Sequence, residues 1–101
     1  MKIGFIGLGR MGYNMVLRLL HKKHKVVAYN RSPKKVRGVA RKGAEPAFSI
    51  EELVGKLGER KIIWLMLPAG KITDDTIKKV LRLVKKGDII INGANSFYKN
   101  A

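Results

Sequence analysis

Gly7, Gly9 and Gly12 stand at the spacing Gly-x-Gly-x-x-Gly, with Leu8, Arg10 and Met11 between them, and that spacing suits phosphate. Gly7 permits a tight turn out of the apolar run Ile3-Gly4-Phe5-Ile6. Gly9 lets the backbone approach a pyrophosphate with no side chain between, and Gly12 lets a following helix pack closely on the strand. The unpaired N–H groups at that helix start carry partial positive charge toward the phosphates. A glycine cluster alone often marks an ordinary turn. Here the strand before it and the amphipathic pattern after it are both readable: Met11, Met15 and Leu19 recur at helical spacing beside Val16 and Leu20. The methionines read as core packing.

The second chemical position lies about 20 residues further on, where a dinucleotide site places the group that meets the adenosine ribose. Lys25-Val26-Val27-Ala28-Tyr29 is a β-branched strand, and it ends in Asn30-Arg31-Ser32. A carboxylate there would bind the free ribose hydroxyl of NAD and repel the extra phosphate of NADP. Asn30 removes the repulsion, and Arg31 offers a planar guanidinium suited to gripping a phosphate. Ser32 adds a hydroxyl, and Lys34 or Lys35 adds charge. The plainer role of Ser32 is a helix N-cap, with Pro33 at the first helical position. Both roles can coexist, and NADP is expected over NAD.

These residues need elements to position them. Residues 33–42 read as a short helix closed by Gly43, and Ser49-Ile50-Glu51-Glu52 as a capping box opening a helix to about Leu57. Ile62-Ile63-Trp64-Leu65-Met66-Leu67 is an unbroken apolar run, as for an interior parallel strand. Pro68-Ala69-Gly70 ends it. Thr73-Asp74-Asp75-Thr76 is expected to open a helix with Ile77, Val80, Leu81 and Val84 on its buried face. Ile89-Ile90-Ile91 then reads as a strand, followed by Asn92-Gly93-Ala94-Asn95-Ser96. Strands alternating with helices predict one α/β domain over residues 1–101, a Rossmann-type doubly wound parallel sheet of about four strands. In such a sheet the loops at 7–12, 30–32, 68–70 and 92–96 share the carboxyl ends of the strands, where ligands collect.

Composition narrows the function classes. The 101 residues contain no cysteine, which excludes disulfides and thiolate metal sites and fits a reducing cytoplasm. The N-terminal apolar stretch is too short to span a bilayer and is broken by Arg10, so no membrane is expected, and no metal site is assigned. Twenty-two Lys and Arg against seven acids leave a net charge of +15, which implies loose attraction to polyanions at low salt. The basic residues fall in scattered pairs without interleaved aromatics, so no dedicated nucleic-acid function is expected. His21 and His24 read as an exposed turn.

Taken together, residues 7–15, Tyr29-Asn30-Arg31-Ser32, Trp64 to Gly70 and Asp88 to Ser96 resemble the N-terminal cofactor domain of 6-phosphogluconate dehydrogenase, the decarboxylating enzyme of the pentose phosphate pathway. The likeness extends over nearly the whole chain. It implies oxidation of 6-phosphogluconate by a nicotinamide cofactor and loss of carbon dioxide to give ribulose 5-phosphate. It further implies that Leu67, Pro68, Ala69 and Gly70 lie along the cofactor, with Asn95 near both the nicotinamide and the substrate. Read without the resemblance, Asn95 is a turn residue stabilising the loop after a strand. The chain departs from the family pattern at Asn92, where an Asp is usual, and at Ala94, where a Gly is usual. Lys23 likewise replaces a glycine before His24.

The resemblance also implies that the family's Lys base, its Asn partner and its helical catalytic domain lie beyond residue 101. No catalytic residue is therefore assigned, and the chain alone is expected to be inactive, with a sugar-acid phosphate bound only by a complete enzyme. Two alternatives stand beside this reading: a stand-alone nucleotide-binding or regulatory module without catalysis, and a fragment of a related 3-hydroxyacid dehydrogenase. An apolar edge at Ile89-Ile90-Ile91 raises the expectation of a homodimer.

Overall fold

The structure is a computed structural model that describes residues 2–67 and 70–93. Five strands alternate with four helices: β1 (Lys2–Ile6), α1 (Arg10–His21), β2 (Lys25–Tyr29), α2 (Pro33–Ala40), β3 (Glu45–Pro46), α3 (Ile50–Leu57), β4 (Ile62–Leu65), α4 (Lys71–Leu83) and β5 (Ile89–Asn92). All pairings are parallel, in the order β3-β2-β1-β4-β5. Strand order reverses at β1, whose neighbours are β2 on one side and β4 on the other. That reversal opens a crevice at the carboxyl end of β1, the place where doubly wound sheets bind ligands.

Alternation along each strand feeds two cores. Phe5, Val26, Ala28 and Trp64 face Val16 of α1 and Val36 and Val39 of α2. Ile6, Val27, Ile63 and Leu65 face Leu53, Val54 and Leu57 of α3 and Val80 of α4. Phe5, Ile63 and Leu65 are fully buried, each worth about 1.5–3 kcal/mol relative to exposure. Phe5 and Trp64 stack with ring centroids 6.4 Å apart. Gly4 lets α3 approach β1, since a β-carbon there would lie 2.7 Å from Leu57 Cδ1.

Four sequence expectations need correction. The sheet has five strands among the described residues, not about four, because Glu45–Pro46 pairs with Val27 and Ala28. Two residues that include a proline carry no strand pattern, and an edge position tolerates the missing N–H. The last helix starts at Lys71 with Gly70 at its N-cap, not at Thr73, and Leu81 is exposed rather than on the buried face. Met11 is 56% exposed, so it is not core packing.

The expected capping box at Ser49 is present, with Ser49 Oγ accepting from the Glu52 N–H at 3.0 Å. Its return bond goes one residue upstream, from the Phe48 N–H to Glu52 Oε1 at 2.9 Å. Among the described residues, no helix is long and apolar enough to cross a membrane.

Candidate dinucleotide-binding site

The glycine loop leaves β1 between the ends of its two neighbours. The Gly7 N–H donates to the Tyr29 carbonyl at 3.0 Å, and Gly7 adopts φ +104. A β-carbon on Gly7 would strike the Met66 carbonyl oxygen, and one on Gly12 would strike the Gly7 carbonyl oxygen. The protein itself therefore demands glycine at both positions. Gly9 is different. Its φ of −64 suits any residue, and among the described residues no heavy atom lies within 4 Å of where its β-carbon would sit. The space over Gly9 is room that none of the described residues uses, and a pyrophosphate approaching the backbone would need it.

Gly9 is also the N-cap of α1, and its carbonyl accepts the Tyr13 N–H at 2.7 Å. The helix N–H groups before Tyr13 have no intrahelical acceptor, and the first turn holds no acidic residue. The Leu8 N–H is already used, because it donates to Asn30 Oδ1 at 2.8 Å. Asn30 thus pins the glycine loop to the end of β2 across 22 residues of sequence. Its Nδ2 leans back to the Ser32 carbonyl at 3.4 Å.

The corner after β2 carries no carboxylate. Arg31 and Ser32 are exposed. Ser32 is the N-cap of α2, with Pro33 at the first helical position, yet its side chain makes no capping bond. Its hydroxyl is therefore not consumed by the helix. Lys35 Nζ lies 5.8 Å from the Tyr13 ring centroid, and Arg10, Tyr13, Asn14 and Lys35 line a cleft of about 370 Å³ between α1 and α2. Arg10 also joins Met11, Asn14, Met15 and Arg18 around a cavity of about 460 Å³ on the outer flank of α1.

The structure brings Gly7, Leu8, Gly9, Arg10, Met11, Gly12, Asn30, Arg31 and Ser32 to one end of the sheet. Leu67 reaches the same crevice, its Cδ2 3.0 Å from where a Gly7 β-carbon would lie. Gly70 caps α4 with φ +145. Pro68, Ala69 and Asn95 lie outside the described residues, as does Ala94. Gly93, after β5, is packed so tightly that a β-carbon would come within 2.6 Å of Trp64 Nε1. Sequence reading missed Tyr13 and Asn14, although both lie within four residues of Arg10 and so share its end of the helix. It also missed the Asn30 pin, which has no local signal. Among the described residues, no group of three His, Cys, Asp or Glu is placed to hold a metal ion.

A crevice at the strand-order reversal, a glycine with unused space above it and an acid-free helix start fit a dinucleotide. Comparison with known proteins agrees. The family model described as the NAD binding domain of 6-phosphogluconate dehydrogenase matches residues 2–101. The NAD(+)-dependent, decarboxylating 6-phosphogluconate dehydrogenase of Haloferax volcanii is 43% identical over 101 residues, covering 100% of this chain and 34% of that protein. The solved 6-phosphogluconate dehydrogenase of Plasmodium falciparum, described with its cofactor NADP+ and its substrate 6-phosphogluconate, superposes with a TM-score of 0.87 at 32% identity. That match covers 99% of this chain and 23% of the other. A 3-hydroxyisobutyrate dehydrogenase from Mycobacterium tuberculosis shares the fold alone, with a TM-score of 0.75 at 22% identity over 98% of this chain and 36% of that one. The chain thus spans only about a quarter to a third of the length of these relatives. By the span of the family match and the geometry of its glycine loop, this chain belongs to the NAD-binding domains of the 6-phosphogluconate dehydrogenase family.

Proposed function

We propose that this chain is the NADP-binding portion of a decarboxylating 6-phosphogluconate dehydrogenase. The observation that carries the cofactor choice is the corner after β2. It holds exposed Arg31 and an unconsumed Ser32 hydroxyl, has Lys35 close by, and lacks a carboxylate. Relatives are described with either nicotinamide cofactor, so the preference rests on these residues of this chain. Asn30 contributes by being neutral while it holds the loop. NADP bound here would supply a hydride acceptor for a substrate carbon. The chain's own share is binding and orientation. Gly9 and the N–H groups of Arg10 and Met11 receive the pyrophosphate. Arg31, Ser32 and Lys35 receive the 2′-phosphate, and Leu67 and Gly70 border the dinucleotide. By the family resemblance, Asn95 is given a role toward the nicotinamide and the substrate.

By the family resemblance the base for the substrate hydroxyl is supplied from outside these residues, so on this reading the chain alone turns over nothing. The absence of cysteine supports a cytoplasmic setting. The test is calorimetric titration with NADP and with NAD at about 0.15 M salt, where diffuse charge attraction is screened. NADP should bind saturably and more tightly than NAD, and Arg31→Ala should cut that preference by about tenfold or more, a loss of about 1.4 kcal/mol. Equal affinity for the two cofactors, or a preference indifferent to Arg31→Ala, would refute the reading.

A further inference from the structure

A parallel sheet sends every crossover helix back the same way, so α1 to α4 all end at the sheet edge opposite the glycine loop. Each return loop at that edge carries cations. Lys22, Lys23 and Lys25 lie before and on β2, Arg41 and Lys42 before β3, Arg60 before β4, and Lys85 and Lys86 before β5. All are exposed, and among the described residues none has an ion-pair partner. Two of the three carboxylates nearby are committed. Glu45 pairs with Lys2 and Lys56. Asp88 accepts the N–H groups of Lys85 at 2.7 Å and Lys61 at 2.8 Å and pairs with Lys61 Nζ at 3.6 Å. Glu59 is exposed beside Arg60. With strands about 4.8 Å apart, the five-strand edge sets these cations along roughly 20 Å. The dinucleotide crevice lies a strand length away, roughly 15 Å.

Helix-end stabilisation accounts for part of this set. A cation in the last turn offsets the dipole, and Lys22 and Arg41 are C-caps. It does not account for the others, which lie beyond the helix ends. Backbone conformation supplies an independent observation. Lys23 has φ +69 and Arg60 φ +53, and they are the only residues other than glycine with positive φ among the described residues. Glycine fills this left-handed region freely, as Gly43, Gly58 and Gly87 do in loops at the same edge. Two return loops therefore hold a cation where glycine would be less strained.

We propose that this edge is a second anion surface, which binds the phosphodiester backbone of nucleic acid without regard to sequence. Long, exposed lysines in a row match a repeating charge. Phe48, the exposed aromatic among the described residues, follows β3 at the other end of the sheet, so the described residues give the strip no platform on which to stack bases. Its partner is therefore the backbone, and its signature is counterion release. A lipid surface would call for an amphipathic helix lying flat, which this edge of loops does not offer.

The experiment is fluorescence anisotropy of a short labelled single-stranded RNA titrated with the chain over a salt series. Wild type should bind saturably at about 0.1 M salt, and saturating NADP should not displace the RNA. The double variant Lys23→Gly/Arg60→Gly should melt at or above the wild-type temperature, because strain is relieved. It should nevertheless bind RNA several-fold more weakly, with the log K against log salt slope smaller by about 1.4, or about 0.7 per lost contact. Lys85→Ala/Lys86→Ala should act alike without altering NADP affinity. Absence of saturable binding, displacement by NADP, or unchanged slopes in both folded variants would overturn the proposal. Equal binding of a polyglutamate peptide would overturn it in favour of an acidic protein partner.

Discussion

Truncating Asn30 to alanine separates the folding role of this residue from its proposed place beside the cofactor. In the folded chain Asn30 Oδ1 accepts the Leu8 N–H at 2.8 Å, and Leu8 is fully buried. Asn30→Ala leaves that backbone N–H without an acceptor, at a cost of about 1–3 kcal/mol. For a domain of this size each kcal/mol moves the melting temperature by about 4–8 °C, so a central loss of about 2 kcal/mol predicts a fall of roughly 8–16 °C. Asn30→Asp keeps an oxygen in the same place and should melt within about 0.5 kcal/mol of wild type. It also returns a carboxylate to the ribose corner, so it should weaken NADP and favour NAD. The assay is thermal unfolding followed by the fluorescence of Trp64, the only tryptophan in the chain, together with titration of both cofactors. If Asn30→Ala melts with wild type, or Asn30→Asp melts as low as Asn30→Ala, the hydrogen bond does not hold the loop and the reasoning fails.

The glycines should divide in the same way between fold and ligand. Gly12→Ala forces a β-carbon onto the Gly7 carbonyl and should cost about 1–3 kcal/mol, whereas Gly9→Ala should leave the melt within about 0.5 kcal/mol and cut NADP affinity tenfold or more. Paired melts and titrations check this, and a Gly9→Ala chain that binds NADP normally would remove the pyrophosphate from the loop. The N–H groups of Lys85 and Lys61, with the Lys61 ammonium, hold the Asp88 carboxyl below its usual value of 3.8. A depressed folded pKa gives stability that is present above the usual value and lost as pH falls through the folded one. Asp88→Asn should therefore be less stable than wild type at neutrality, with a gap that closes as pH drops below about 3.8; urea midpoints across that range measure it, and a constant gap contradicts it. At the sheet edge, β5 is paired only with β4 among the described residues, and Ile89 is 53% exposed. The mass by light scattering should rise toward a dimer with concentration, Ile89→Lys should suppress the rise, and a monomeric mass throughout would count against pairing.

Features carried by neighbouring residues were legible before the fold. The strand–glycine–helix run at residues 3–12, the carboxylate-free end of β2, the cap at Ser49 and the interior strand at Ile62–Leu65 all depend on local spacing. Where the reading failed, the deciding partner was distant or the pattern too short. β3 is two residues long and exists because Val27 and Ala28 offer it an edge, reinforced by the Ala47 N–H to Ala28 carbonyl bond at 2.9 Å. Helical spacing put Met11 and Leu81 on apolar faces, but packing decides which face meets the core: Gly12 and Val16 of α1 and Val80 and Leu83 of α4 do, while Met11 and Leu81 stay exposed.

By itself, then, the sequence determined that a parallel α/β sheet would present a phosphate-binding turn to a carboxylate-free corner, because turn, strand and helix preferences act within a few residues. Three matters waited for the tertiary structure. Gly9 proved to be the glycine that the described fold does not itself require, Asn30 proved to be the clasp across the crevice, and the basic pairs at 22–23, 41–42, 60–61 and 85–86 proved to share one end of the sheet. Each depends on groups that chain order keeps far apart and that only the sheet brings side by side.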